Sequence, residues 1–138
     1  MGSSELILLD THALLWLDLD DPALGPRARE RTDTALRQES LTVSAISFWE
    51  VAMLASKGRI VMEILPANWR RDLLSSGLTE LPVNGETGIL ATSLRDFHSD
   101  PADRIILATA IVKRATLITA DEHILGWPHK LERLDARV

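Results

Sequence analysis

LILLDTHALLWL, residues 6–17, sets a four-residue apolar run against an aspartate and then a segment with helical spacing. A short unbroken apolar run suits a strand buried on both faces, as the central strands of parallel sheets are. The unit is therefore strand, Asp10, helix. It recurs at residues 116–121, where TLIT is followed by Ala120 and Asp121. In an open parallel sheet, ligands bind outside the C-terminal ends of the strands, so both units deliver a carboxylate to that edge.

Outward from these units, residues 18–39 open with acids and Pro22, then read from Pro26 as an amphipathic helix whose Arg27, Arg29, Arg31 and Arg37 form a solvated face. Residues 41–43 are a second strand, and Ser44 or Ser47 caps a helix that runs through Ala55 to a stop at Gly58. Residues 59–65 fit an extended piece or a helical turn. A helix over 66–76 closes at Gly77, a third strand covers 78–83, and a further helix covers 84–95. Asp100, Pro101 and Asp103 then suit the N-cap, first and third positions of an apolar helix, with the Asp103 carboxylate placed to reach back to the cap. After the fourth strand, 116–119, come a helical turn at Trp127-Pro128 and a strand or extended tail at 131–134. Strands alternating with helices give the α/β class with a mainly parallel sheet.

A chain of 138 residues, 46% of them hydrophobic, is one domain with a real core. Residues 1–4 read as a cloning remnant and are left out of the fold. No apolar run is long enough to span a bilayer, and the first residues lack the basic region and cleavage site of a signal peptide. The absence of cysteine excludes disulfides and thiolate metal sites and makes a cytoplasmic location the default. With 15 basic against 20 acidic residues the formal charge is −5, the wrong sign for holding nucleic acid by bulk electrostatics. A nucleic-acid substrate would need a local basic rim or bound cations; a basic protein partner would not.

Four acids stand out. Asp10 and Asp121 follow strands, Asp103 opens the apolar helix, and Glu50 is the single charge in SLTVSAISFWEVAMLAS. Glu is almost never fully buried unpaired, so Glu50 needs a partner or a cation. Right-handed crossovers can bring these strand ends and helix starts to one edge. Two carboxylates at 4 Å repel by roughly 4 kcal/mol at an effective dielectric near 20, so something positive must sit among them. Oxygen donors without cysteine or spaced histidines favour Mg²⁺ or Mn²⁺ over Zn²⁺, and such ions serve phosphodiester hydrolysis. His98, His123 and His129 lack ligand spacing and read as structural or solvated. Trp16, Trp49, Trp69 and Phe48 read as core or interface, the Trp69 helix being one candidate interface.

The blocks LILLDTHALLW, VSAISFWEVAMLASKGRI, FHSDPADRIILATA and TLITADEHIL, in that order, resemble the successive motifs of PIN-domain ribonucleases, in particular the VapC toxins of bacterial toxin–antitoxin pairs. The resemblance runs from Leu6 to the C-terminus. It implies a three-layer α/β/α sandwich and Mg²⁺- or Mn²⁺-dependent endonucleolytic cleavage of RNA. It also implies a homodimer and a cognate antitoxin with a basic or Arg-bearing tail that covers the site. By position it makes Asp10, Glu50, Asp103 and Asp121 the catalytic, metal-holding acids: Asp10 and Asp103 as direct ligands, Glu50 through water, Asp121 toward a second metal. Thr119 matches a hydroxyl near the site. Thr11, Asp100 and Arg104 are supporting candidates; Arg104 could hold a phosphate or pair with Asp100. Two alternatives stay open: an acidic binding module, and a related phosphohydrolase or nuclease that is not a toxin.

Overall fold

In the computed structural model, which describes residues 5–138, Ile7–Leu9 forms strand β1 at the middle of a five-stranded sheet. The other strands are β2 (Leu41–Ser44), β3 (Thr79–Leu81), β4 (Thr116–Thr119) and β5 (Arg133–Asp135), in the order β3-β2-β1-β4-β5. Every pairing is parallel, with Ile7 opposite both Leu41 and Thr116 and Leu9 opposite both Val43 and Ile118. Alternation then divides the apolar run: Ile7 and Leu9 enter one core with Val43 and Ile118, and Leu8 enters a second with Leu117. Burial on both faces is why β1 reads as continuous apolar sequence.

The chain builds outward from β1 through β2 to β3, then crosses to the other side for β4 and β5. Because parallel crossovers are right-handed as a rule, that reversal sends the helices to opposite faces. Helices α1 (Thr11–Asp18), α2 (Pro26–Arg37) and α4 (Pro66–Ser75) supply Leu14, Ala28, Ala35 and Trp69 to the first core. Helices α6 (Pro101–Lys113) and α7 (Glu122–Leu125) supply Ile106, Leu107, Ala110 and Ile124 to the second. Helix α3 (Ala45–Ser56) touches both through Val51 and Ile46, and α5 (Gly85–Thr92) packs on α6. The result is the expected α/β/α sandwich.

Local chemistry sets most boundaries where the sequence placed them. Ser44, rather than Ser47, caps α3 by accepting from the Ile46 N–H at 3.2 Å. Gly58 and Gly77 follow α3 and α4 with φ of 70° and 112°, a region that favours glycine. The helix expected over 84–95 is shorter, capped by Asn84 and ended at Thr92, because the following carbonyls are taken by another side chain, described below. The late helical turn falls at Glu122–Leu125 and Trp127-Pro128 does not extend it. Trp69 is not an open face: it is 6% exposed, lies edge-on to Phe48 and donates to Asp18 Oδ2. Residues 1–4 lie outside the described residues. No described helix is long and apolar enough to cross a membrane.

Candidate active site

The β1–β4 register places residue 10, immediately past β1, beside residue 119, the last of β4. Asp10 is 5% exposed. Its Oδ1 accepts from the Thr11 N–H at 2.8 Å and its Oδ2 from the Thr119 hydroxyl at 2.6 Å. The Thr119 oxygen also accepts from the Asp121 N–H at 3.0 Å, and Asp121 Oδ1 caps α7 through the His123 N–H at 2.7 Å. Thr119 thus couples both strand-end acids. Thr11 acts from the other side: its hydroxyl lies 2.8 Å from that of buried Ser47, tying the start of α1 to the start of α3, the helix that carries Glu50.

Helix α6 brings the remaining acids. Asp100 caps it by accepting from the Asp103 N–H at 3.0 Å. The Asp103 carboxylate does not reach back to the cap as expected; it faces His98, with Nε2 3.2 Å from Oδ2. Asp10, Glu50, Asp100, Asp103 and Asp121, together with His12, Trp16 and Ala120, line one cleft of about 370 Å³. No Lys or Arg is among the lining residues. The electrostatic consequence is marked at Asp103, whose carboxyl is pushed up to about 8 by burial first and then by the charges of Asp10, Asp100, Asp121 and Glu50. Burial raises Asp10 as well, against the Thr119 and Thr11 donors that favour its charged form. Glu50 is raised by burial and by Asp10 and Asp100, with Thr11 opposing. Three helix N-termini, those of α1, α6 and α7, open at this edge and offset part of the repulsion.

Carboxylates that resist ionisation, converging without a Lys or Arg, fit an oxygen-binding divalent cation, and so does the donor set. All four acids singled out in the sequence share the cleft. Arg104 neither holds a phosphate position nor pairs with Asp100: its guanidinium donates to the carbonyls of Ala91, Leu94, Phe97 and His98 at 2.8–3.1 Å. His98 is the group that sequence spacing missed. One nitrogen or oxygen atom each from His98, Asp103 and Asp121 lies within 4.8 Å of the others. The only signal was its position two residues before the cap of α6. His12, next but one after Asp10 and within reach of the site by sequence, and Trp16 line the cleft as well.

A family model described as PIN domain matches residues 7–126. The chain is 33% identical over 127 residues to Ribonuclease VapC22 of Mycobacterium tuberculosis, spanning 89% of this chain and 92% of that protein. A toxin–antitoxin complex from Klebsiella pneumoniae contains a similar chain, at 25% identity and a TM-score of 0.62, covering 94% of this chain and 97% of that one. The fold is also that of a chain in VapBC2 from Rickettsia felis bound to a promoter DNA fragment, at 19% identity and a TM-score of 0.65, covering 94% and 99%.

Proposed function

This chain belongs to the PIN-domain family, and on that premise we propose that it is a divalent-cation-dependent endoribonuclease acting as the toxin of a toxin–antitoxin pair. The observation that carries the reading is the cleft at the C-terminal edge of the sheet, with five carboxylates and no Lys or Arg in its lining. Such a cleft repels RNA unless a cation neutralises it. Asp10 and Asp103 would hold Mg²⁺ or Mn²⁺ directly, with Asp121 beside them. When bound, the ion polarises the scissile phosphate and offsets the charge of the transition state.

The chain's own side chains do the rest. Thr119 fixes one Asp10 oxygen and Thr11 the other, so that carboxylate enters the reaction with one orientation. Glu50, whose carboxyl is raised by burial and by Asp10 and Asp100, is placed to orient the attacking water and accept its proton. Trp16 and Ala120 give the cleft its apolar lining.

A second groove, about 500 Å³, supports the partner half of the reading. Leu15, Leu19, Val61, Ile64, Trp69 and Leu73 line it, with Asp18, Glu63 and Asp72 among them. It suits an apolar antitoxin segment with flanking basic residues. Leu15 lines this groove and Trp16 the acidic cleft, so the two surfaces meet on α1, where an Arg-bearing tail continuing from the groove would approach the carboxylates. For a homodimer, Trp49 of α3 and Ile89 of α5 are available at 54% and 74% exposure on the two helices that flank α6.

Asp10→Asn and Asp103→Asn keep shape and remove charge. Each is expected to lower cleavage of RNA in Mg²⁺ or Mn²⁺ by on the order of 10²-fold or more, with the folded circular dichroism spectrum retained. Undiminished cleavage, or unfolding of both variants, would overturn the reading. Parallel DNA and small-phosphoester substrates test for a nuclease or phosphohydrolase of another kind.

A further inference from the structure

The geometry points to a mixed nitrogen–oxygen cation position at one side of this cleft, held by His98, Asp103 and Asp121, that takes a divalent transition-metal ion in preference to Mg²⁺. It rests on the reading of the cleft as a cation site and adds to it a donor outside the four acids. His98 Nε2 is shielded from solvent and has no hydrogen-bond partner among the described residues. It nonetheless lies 3.2 Å from Asp103 Oδ2, and its cluster with Asp103 and Asp121 fits within 4.8 Å. Donors around an ion at about 2.1 Å stand roughly 3 to 4.2 Å apart, so little rearrangement is needed. His98 Nε2 thus stands beside a carboxylate without a hydrogen bond to it, an arrangement in which one ion can serve both donors.

The imidazole is also held in place. His123 stacks on it at 4.3 Å and 27°, Phe97 meets it edge-on at 4.5 Å, and Arg104 grips the His98 carbonyl at 3.0 Å. The His98 Nε2 faces two carboxylates, those of Asp103 and Asp121. Imidazole donors suit the later first-row metals, whereas Mg²⁺ takes oxygen, so this nitrogen sets a preference that carboxylates alone do not. Arg104 is accordingly a positioning residue.

Mn²⁺ bound to the tag-free full chain reports the ligand directly by pulsed electron paramagnetic resonance. Wild type is expected to show ¹⁴N modulation that persists in His12→Phe and vanishes in His98→Phe, which keeps the stacking ring, and in His98→Gln. Mn²⁺ affinity should fall about ten-fold in the His98 variants while Mg²⁺ affinity stays within about two-fold. No ¹⁴N modulation in wild type, its survival in a folded His98 variant, or its loss in His12→Phe overturns the assignment. If His98→Phe does not fold, His98→Gln decides. RNA cleavage without ¹⁴N modulation removes this site and leaves the nuclease; ¹⁴N-modulated Mn²⁺ without cleavage does the reverse.

Discussion

Asp103 carries the sharpest consequence of single-residue chemistry. Its carboxyl is pushed up to about 8 in the folded chain from an ordinary value of 3.8. Between those values the folded state holds a proton that the unfolded state has released, so stability falls as pH rises. Asp10 and Glu50 are shifted the same way and add to the trend. The metal-free chain should therefore melt at progressively lower temperature as pH rises from about 5 to about 8, and Asp103→Asn should flatten the curve. Saturating Mn²⁺ should flatten it too, because the cation binds the deprotonated carboxylates. Thermal unfolding across that range checks all three; a metal-free melting temperature that rises with pH would contradict the crowding. At this scale the sequence was informative wherever a residue broke its local pattern, as Glu50 did on an apolar helix. It read His98 as structural or solvated, because the neighbours of His98 come from a distant strand end and a helix start.

Among the elements, the segment between α5 and α6 depends on one side chain. Arg104 gives four N–H···O=C contacts to Ala91, Leu94, Phe97 and His98, and in doing so ends α5 and shapes the turn that presents His98. Lysine, a point charge on a flexible stem, cannot reproduce a planar fork spread over four carbonyls. Arg104→Lys is expected to cost about 2 kcal/mol or more in urea unfolding and to speed amide exchange around residues 93–98, with β1 and β4 still protected. Unchanged exchange there would show that the loop holds itself. Residue 104 lies one position past a predicted site acid, which suggested a phosphate contact from sequence. Only the path of residues 91–98 shows that its donors are already used. Caps and stops were readable because they are short-range: Asp100, Ser44, Gly58 and Gly77 act within a few residues of the ends they set.

Across the whole molecule, two surfaces carry the proposed catalysis and the proposed partner binding. The acidic cleft lies at the strand ends, and the apolar groove runs between α1, α4 and residues 60–64, where Val61 is 95% and Leu19 70% exposed. Leu19→Glu and Val61→Glu should abolish binding of the antitoxin, measured by titration with the purified partner. They should leave RNA cleavage intact and unfolding free energy within about 0.5 kcal/mol of wild type, since neither side chain is in the core. Loss of cleavage in both would tie the groove to substrate instead. The sequence by itself determined the α/β alternation, the buried parallel strands, the caps and the four acids, because periodicity, capping and desolvation act through near neighbours. The tertiary structure alone decided that those acids meet, through a strand order that reverses at β1 and a register that sets Asp10 beside Thr119. It also decided that Arg104 is a clamp, that Trp69 is core and that His98 faces the carboxylates, since each depends on which distant segments the sheet brings together.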